Sequence, residues 1–350
     1  MLAAEVKAAG PPETAPSVTV PGSPWRRIVE PVDPFLAAVS VSLGAQVHTF
    51  DPEIAAYAQY AVSSQGKQLR PALIGLSANA VGTLGEDHVT VAVIIEMIHL
   101  ATLVHDDIMD EARIRRQRPT LAAHWGNQIS VLLGDCLFAH ALKLAAGFPT
   151  TAVCQAVASA TKTVCSGEIL QTNRRHDFAL PRADYFKVIA MKTAELFALS
   201  CDLSAWLSGA TDVRRAALRE FGMKLGTAYQ IHDDCLDLFG SEKVAGKSLG
   251  TDLASGKLTL PVLIFLERAT PAEQTRLKEL IKAWQPEFHD RTVALLQKHD
   301  ALAASRAVIH QYLAAARTAL QALPDNAGRA ALAGLADLLA QQTDSLGAVA

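Results

Sequence analysis

The chain has 350 residues, 50% of them hydrophobic, with a net charge of −3 and a pI near 6.4. That balance supplies a sizeable core and no global basic field, which excludes nucleic acid as an expected partner. The five cysteines (Cys136, Cys154, Cys165, Cys201, Cys235) are odd in number and form no CxxC pair, which excludes a disulfide framework and a zinc site and fits reduced thiols in the cytoplasm.

Seven of the sixteen prolines fall between Pro11 and Pro34, with Gly, Ser and Thr nearby. The start lacks a basic segment followed by an apolar one, and no uninterrupted apolar run reaches ~18 residues, so neither a signal peptide nor a membrane span is expected. Residues 1–32 read as a disordered tail and 33–350 as a single domain. From Asp33 onward Pro and Gly thin out while Ala, Leu, Val and Ile recur at helical spacing. No alternating strand run appears, which predicts an all-α fold.

The first chemical signal is Gly66-Lys67-Gln68-Leu69-Arg70-Pro71, a basic pair before an apolar helix that lacks the spacing of a Walker loop. Gly82 and Gly85 then precede a helix that ends in His105 and Asp106-Asp107-Ile108-Met109-Asp110. Arg113, Arg115, Arg116 and Arg118 follow before Pro119-Thr120. Lys192-Thr193 interrupts an otherwise apolar helix, where an unpaired charge is disfavoured. The Asp pattern returns after His232 as Asp233-Asp234-Cys235-Leu236-Asp237, and a glycine-rich stretch carrying Lys243, Lys247 and Lys257 comes next. Thr270-Pro271-Ala272-Glu273 spells a capping box with Pro at N1, and the Ala/Leu-rich remainder reads as packing scaffold.

On a helix, residues i and i+4 share a face, so Asp106 with Asp110, and Asp233 with Asp237, present paired carboxylates in one direction. One copy alone could be a solvated helix face. Two copies set among apolar residues require cationic partners. Hard oxygen ligands of this kind suit Mg²⁺, which prefers one or two carboxylates plus substrate phosphates to a closed protein cage. The arginines and lysines between the clusters supply forks and point charges for phosphate oxygens.

The series GKQLRP (66–71), EMIHLATLVHDDIMDEARIRR (96–116), GDCLFAHA (134–141), GEILQ (167–171), KTAELF (192–197), YQIHDDCLD (229–237) and GK…DLASGKLTLP (246–261) resembles the trans-isoprenyl diphosphate synthases, or polyprenyl synthetases. The resemblance runs in order from about residue 33 to 265. It implies an all-α, isoprenoid-synthase-type helical bundle around a central cavity, usually as a homodimer, that adds isopentenyl diphosphate to an allylic diphosphate primer. Peripheral membrane contact would serve release of a hydrophobic product. It implies three Mg²⁺ ions on Asp106, Asp110 and Asp233, with Asp107, Asp234 and Asp237 in supporting positions. Lys67, Arg70, His99 and Arg116 match the isopentenyl diphosphate site, and Arg115, Lys192, Thr193, Gln230, Lys247 and Lys257 the allylic site. The small pair Ala101 and Thr102, five and four residues before Asp106, favours a medium or long product over a farnesyl- or geranylgeranyl-length one, with Ile98 as a deeper floor. Two positions depart from the family pattern, Gln68 in place of Arg and Gln117-Arg118 in place of Gly-Lys. Two rival readings are a metal phosphohydrolase built on His105-Asp106 and His232-Asp233, and a non-catalytic partner subunit.

Overall fold

The computed structural model describes residues 22–63, 66–241 and 249–347. In chain order these form α1 (Pro24–Val29), α2 (Asp33–Val47), α3 (Pro52–Ser63), α4 (Leu69–Val81) and α5 (Glu86–Met109). Two-residue strands β1 (Ile114–Arg115) and β2 (Arg118–Pro119) pair antiparallel, and α6 (Leu121–Trp125), α7 (Asn127–Ala146) and α8 (Ala152–Asn173) follow. Helix α9 (Arg182–Ile189) runs through a π turn (Ala190–Ala194) into α10 (Glu195–Leu207), and α11 (Asp212–Phe239) packs alongside. The chain closes with α12 (Thr251–Ala254), α13 (Leu260–Arg268), α14 (Pro271–Lys282), α15 (His289–Lys298), α16 (Ala301–Ala319) and α17 (Ala327–Asp344). The all-α expectation holds, with one small hairpin among the described residues.

The tail expected over residues 1–32 reaches too far. Residues 1–21 lie outside the described residues, but α1 starts at Pro24, is capped by Ser23, and buries Val29, while Val32 is fully enclosed. Pro24, Pro31 and Pro34 each stand in the first turn of a helical segment, where the missing N–H costs nothing. Proline content therefore misled the boundary. The capping box at Thr270 is formed as expected, with the Thr270 N–H donating to Glu273 Oε2 at 3.1 Å.

Helix α5 passes through the middle of the bundle against α2, α4 and α7, and every residue from Val91 to Ile98 is buried. A helix apolar on all sides belongs in an interior. Length and hydropathy alone would let α5, α7 and the stretch Pro24–Val47 cross a membrane, but α5 is 67% buried within the protein, whereas the other two are 33% buried. Helix α10 lies between α4 and α11, and α16 and α17 cover α11 and α4 from outside, as scaffold.

The α10–α11 contact is unusually close for a sequence reason. Gly222 and Gly226 fall one helical turn apart on α11, and a Cβ at either would meet the backbone of Phe197 or Ala194 at 2.6–2.8 Å. Gln230 and Asp234 continue the same i+4 stripe. The glycines thus bring the next two turns of α11 against the π turn that carries Lys192 and Thr193.

Candidate active site

The last turn of α5 presents Asp106 and Asp110 to a cluster of cations. Lys257 Nζ donates to Asp110 Oδ2 at 2.6 Å, and Arg175 Nη2 to Asp110 Oδ1 at 3.2 Å. Lys192 Nζ lies 3.8 Å from Asp106 Oδ2, pairs with Glu168, and donates to Gln171 Oε1 at 3.0 Å. The His176 N–H donates to the Gly256 carbonyl at 2.8 Å, which ties the segment bearing Arg175 to the one bearing Lys257. The π turn widens the helix locally and lets Lys192 and Thr193, adjacent in sequence, both line the cavity. Burial would pull the Lys192 ammonium down, but Asp106 and Glu168 carry it up to about 12.

Burial pushes Asp106 up to about 6, with Glu168 and Asp110 adding to the rise and Lys192 and Lys257 opposing it. A carboxyl raised in this way binds more protons folded than unfolded, so its stabilisation is present below about pH 4 and is lost as pH rises through 6. With chelator present, the protein is therefore expected to lose roughly 3 kcal/mol relative to Asp106→Asn over that window. Thermal unfolding of the two at matched pH checks this, and parallel curves would refute it.

Asp107 and Asp234 turn elsewhere, because each stands one position, about 100°, past Asp106 or Asp233. Asp107 Oδ1 accepts from Arg115 Nε at 2.7 Å. Asp234 is buried, with Tyr185 Oη donating to Oδ2 at 2.6 Å and Gln230 Nε2 donating to Oδ1 at 2.7 Å. Asp237 caps α12, accepting from Thr251 Oγ1 at 2.8 Å and the Asp252 N–H at 3.1 Å. Asp107, Asp234 and Asp237 are thus each held by their own donors, whereas Asp106 and Asp110 share the cluster of Lys192, Lys257 and Arg175; Asp233, next to Asp234 in sequence, is half-buried.

No three His, Cys, Asp or Glu side chains converge on one point at metal distance among the described residues. The fit to Mg²⁺ is one of donor chemistry: hard carboxylate oxygens, with Asp106 strained by burial beside Asp110 and Glu168, gain from an added cation. An ion that keeps waters and takes substrate phosphates as ligands needs no preformed cage.

A second cationic group gathers around Glu96 and His99, earlier turns of α5. Arg70 stacks over Phe197, 5.1 Å from the ring centroid. The Arg116 guanidinium rests on Gly66, where a Cβ would come within 2.7 Å of it. Burial, with Arg70, Arg116 and Arg115 close by, holds His99 well below its ordinary value and therefore neutral. Buried Glu96 balances Arg70 and Arg116, and burial raises its carboxyl. Lys67 is exposed, and its charge is felt at His232. The substitutions at Gln68 and Gln117 both occupy positive-φ positions, at 51° and 62°. Gln68 also donates to Ser40 Oγ at 2.8 Å.

Arg115 pairs with Asp107, folded back onto α5 by the tight hairpin. Lys247 and Lys243 lie outside the described residues. Ala101 and Ile98 are buried in the core and Thr102 donates to the His99 carbonyl at 2.7 Å. None of the three lines the cavity bounded by Tyr185, Val188, Lys192, Thr193, Gln230 and Lys257. Glu96, Glu168, Arg175 and Tyr185 were not anticipated. A charge within the apolar run around 96 and the GEILQ block signalled the first two; Arg175 and Tyr185 carried no local signal.

The His-Asp pairs do not form a joint centre. His105 Nε2 lies 3.0 Å from the Val131 carbonyl on α7, and His232 Nδ1 lies 3.1 Å from Thr343 Oγ1 on α17. Each histidine serves packing between its own helix and a different neighbour, which removes the basis of the phosphohydrolase reading.

The profile of the polyprenyl synthetase family matches residues 51–298. Octaprenyl diphosphate synthase of Haemophilus influenzae is 34% identical over 307 residues, spanning 87% of this chain and 93% of the relative. A decaprenyl diphosphate synthase from Rhodobacter capsulatus superposes with a TM-score of 0.85 at 34% identity, covering 91% of this chain and 99% of that one. The polyprenyl synthase of Caulobacter crescentus, solved with calcium and isoprenyl diphosphate, gives 0.85 at 34% identity over 90% and 97% of the two chains.

Proposed function

The chain belongs to the polyprenyl synthetase family and is a prenyltransferase, and we propose that it adds isopentenyl diphosphate units head-to-tail to an allylic diphosphate, giving a medium or long all-trans chain. The observation that carries this reading is the convergence of Asp106 and Asp110 with Lys192, Lys257 and Arg175, beside a second cationic pair, Arg70 and Arg116, at the neutral His99. Two anionic substrates need two such places. The product class follows from relatives named for octaprenyl and decaprenyl products.

Asp106, Asp110 and Asp233 would hold divalent ions, three Mg²⁺ in our reading, which when bound supply positive charge on the leaving diphosphate oxygens. Lys192, Lys257 and Arg175 add fixed charge at the same place. The allylic C–O bond breaks with its electron pair on the diphosphate, and the alkene of isopentenyl diphosphate then forms the new C–C bond. Loss of a proton from the adjacent carbon to an oxygen of the departed diphosphate completes the unit. Thr193 and Gln230 face the reacting end with oxygen dipoles, and the Arg70 group anchors the acceptor in position for attack.

Purified protein with labelled isopentenyl diphosphate, farnesyl diphosphate and Mg²⁺ is expected to yield a ladder of longer diphosphates. Absence of Mg²⁺-dependent elongation with any primer would overturn the reading. We also propose a homodimer, because Val131 and Leu132 on α7 and Ile169 on α8 are exposed apolar side chains, the last two 60% and 61% exposed. Light scattering of a Leu132→Glu, Ile169→Glu double variant is expected to give half the wild-type mass; an unchanged mass would place the contact elsewhere. A cytoplasmic location is proposed on the five free cysteines.

A further inference from the structure

Tyr185 has no part in the chemistry above, yet it is 4% exposed and lines the same cavity as Lys192 and Thr193. Its hydroxyl donates to Asp234 Oδ2 at 2.6 Å, and Gln230 Nε2 donates to Asp234 Oδ1 at 2.7 Å. Gln230 Oε1 in turn accepts from Thr193 Oγ1 at 2.6 Å. We propose that Tyr185 is a positioning residue which, through Asp234, fixes the direction of the Gln230 amide and the Thr193 hydroxyl, so that the cavity meets oxygen lone pairs rather than N–H or O–H donors.

The reasoning is donor bookkeeping along one chain. A primary amide has a donor end and an acceptor end, and the two are nearly equal in size. Which end faces Thr193 is settled by what Asp234 Oδ1 demands. Tyr185 pins the carboxyl group of Asp234 by giving its hydrogen to Oδ2, which holds Oδ1 toward Gln230. Gln230 gives its NH₂ to that oxygen and turns its carbonyl to Thr193. The single hydroxyl hydrogen of Thr193 is then spent on Gln230 Oε1, and the lone pairs of Oγ1 remain for the cavity. A phenylalanine at 185 leaves Oδ2 without that partner, so the carboxyl group is free to turn and the Gln230 amide loses the fixed oxygen that orients it. A released amide can flip, and Thr193 then aims its hydroxyl hydrogen at developing positive charge. This assignment rests on the prenyl-transfer reading for its ligand, an allylic cation, and on the hydrogen bonds alone for its direction.

The test separates the two. An allylic diphosphate analogue carrying an ammonium at the reacting carbon, and a neutral, non-ionising thiolodiphosphate, are titrated calorimetrically into wild type and Tyr185→Phe. The variant is expected to bind the ammonium analogue about tenfold more weakly and the neutral one within twofold of wild type. In turnover, Tyr185→Phe is expected to lower kcat about tenfold with KM for both substrates within twofold, and to have no further effect in a Gln230→Ala background. Equal weakening of both analogues, an unchanged kcat, or the same fractional loss without Gln230 would each overturn the assignment. A wild-type protein that binds both analogues but elongates nothing would instead sink the prenyl-transfer reading.

Discussion

Asp110→Asn is expected to lower kcat by about 10²–10³-fold at saturating Mg²⁺ and substrates, the range typical for removing one electrostatic stabiliser from a reacting centre. Asp110 is the hub of the described cluster, with Lys257 on one oxygen and Arg175 on the other. It thereby sets where two positive charges wait, and its oxygens are also available to a divalent ion. Asparagine keeps the shape but offers one oxygen and no charge. The side chain is only partly buried, at 25% exposure, so folding should survive the change. Thermal unfolding within a few degrees of wild type beside a collapsed kcat is the expected pair of results. A loss below fivefold would reduce Asp110 to an ordinary ion pair, since exposed and half-exposed pairs contribute little.

Ala101→Phe has the second large effect, read in product length rather than rate. Ala101 lies five residues before Asp106, ~7.5 Å along α5, and is fully buried. If the growing chain slides past this level, a phenyl ring there stops it, and the longest product should fall by several five-carbon units while consumption of the allylic primer continues. If Ala101 only fills space between helices, the ring overpacks the core at a cost of about 1–3 kcal/mol. Product length then stays the same while the melting temperature drops. Chromatographic sizing of products beside a melting curve distinguishes these outcomes. The described cavity reaches Val188 and Thr193 but not Ala101, so the experiment decides whether the channel opens along α5 when substrate enters.

Helical periodicity and the repeated Asp pattern were enough to place both acid clusters at the ends of two long helices, and Lys192-Thr193 on a third, because those signals are local. What the sequence hid was direction. Asp107, Asp234 and Asp237 look equivalent to Asp106 on paper, yet a 100° step sends the first two to Arg115 and to Tyr185 with Gln230, and the start of α12 takes up Asp237. The π turn, on which Lys192 and Thr193 line one cavity, has no compositional mark. Arg175 reaches Asp110 through a loop contact with Gly256, a long-range event that no spacing rule contains. The early start at Pro24 was missed because prolines that begin helices and prolines that break them look alike in a count.

The glycine stripe on α11 has a mechanical consequence. Where Gly222 and Gly226 seat one backbone against another, no side chain can bend to let the surfaces part, so α10 and α11 act as a single plate. Slack must come from across the mouth. There the ties are Lys192 to Asp106, Lys257 to Asp110 and Arg175 to Asp110, charge contacts that a diphosphate can trade for its own oxygens without unpacking any carbon. The protein is hinged where ligand can pay out the rope and riveted where it cannot.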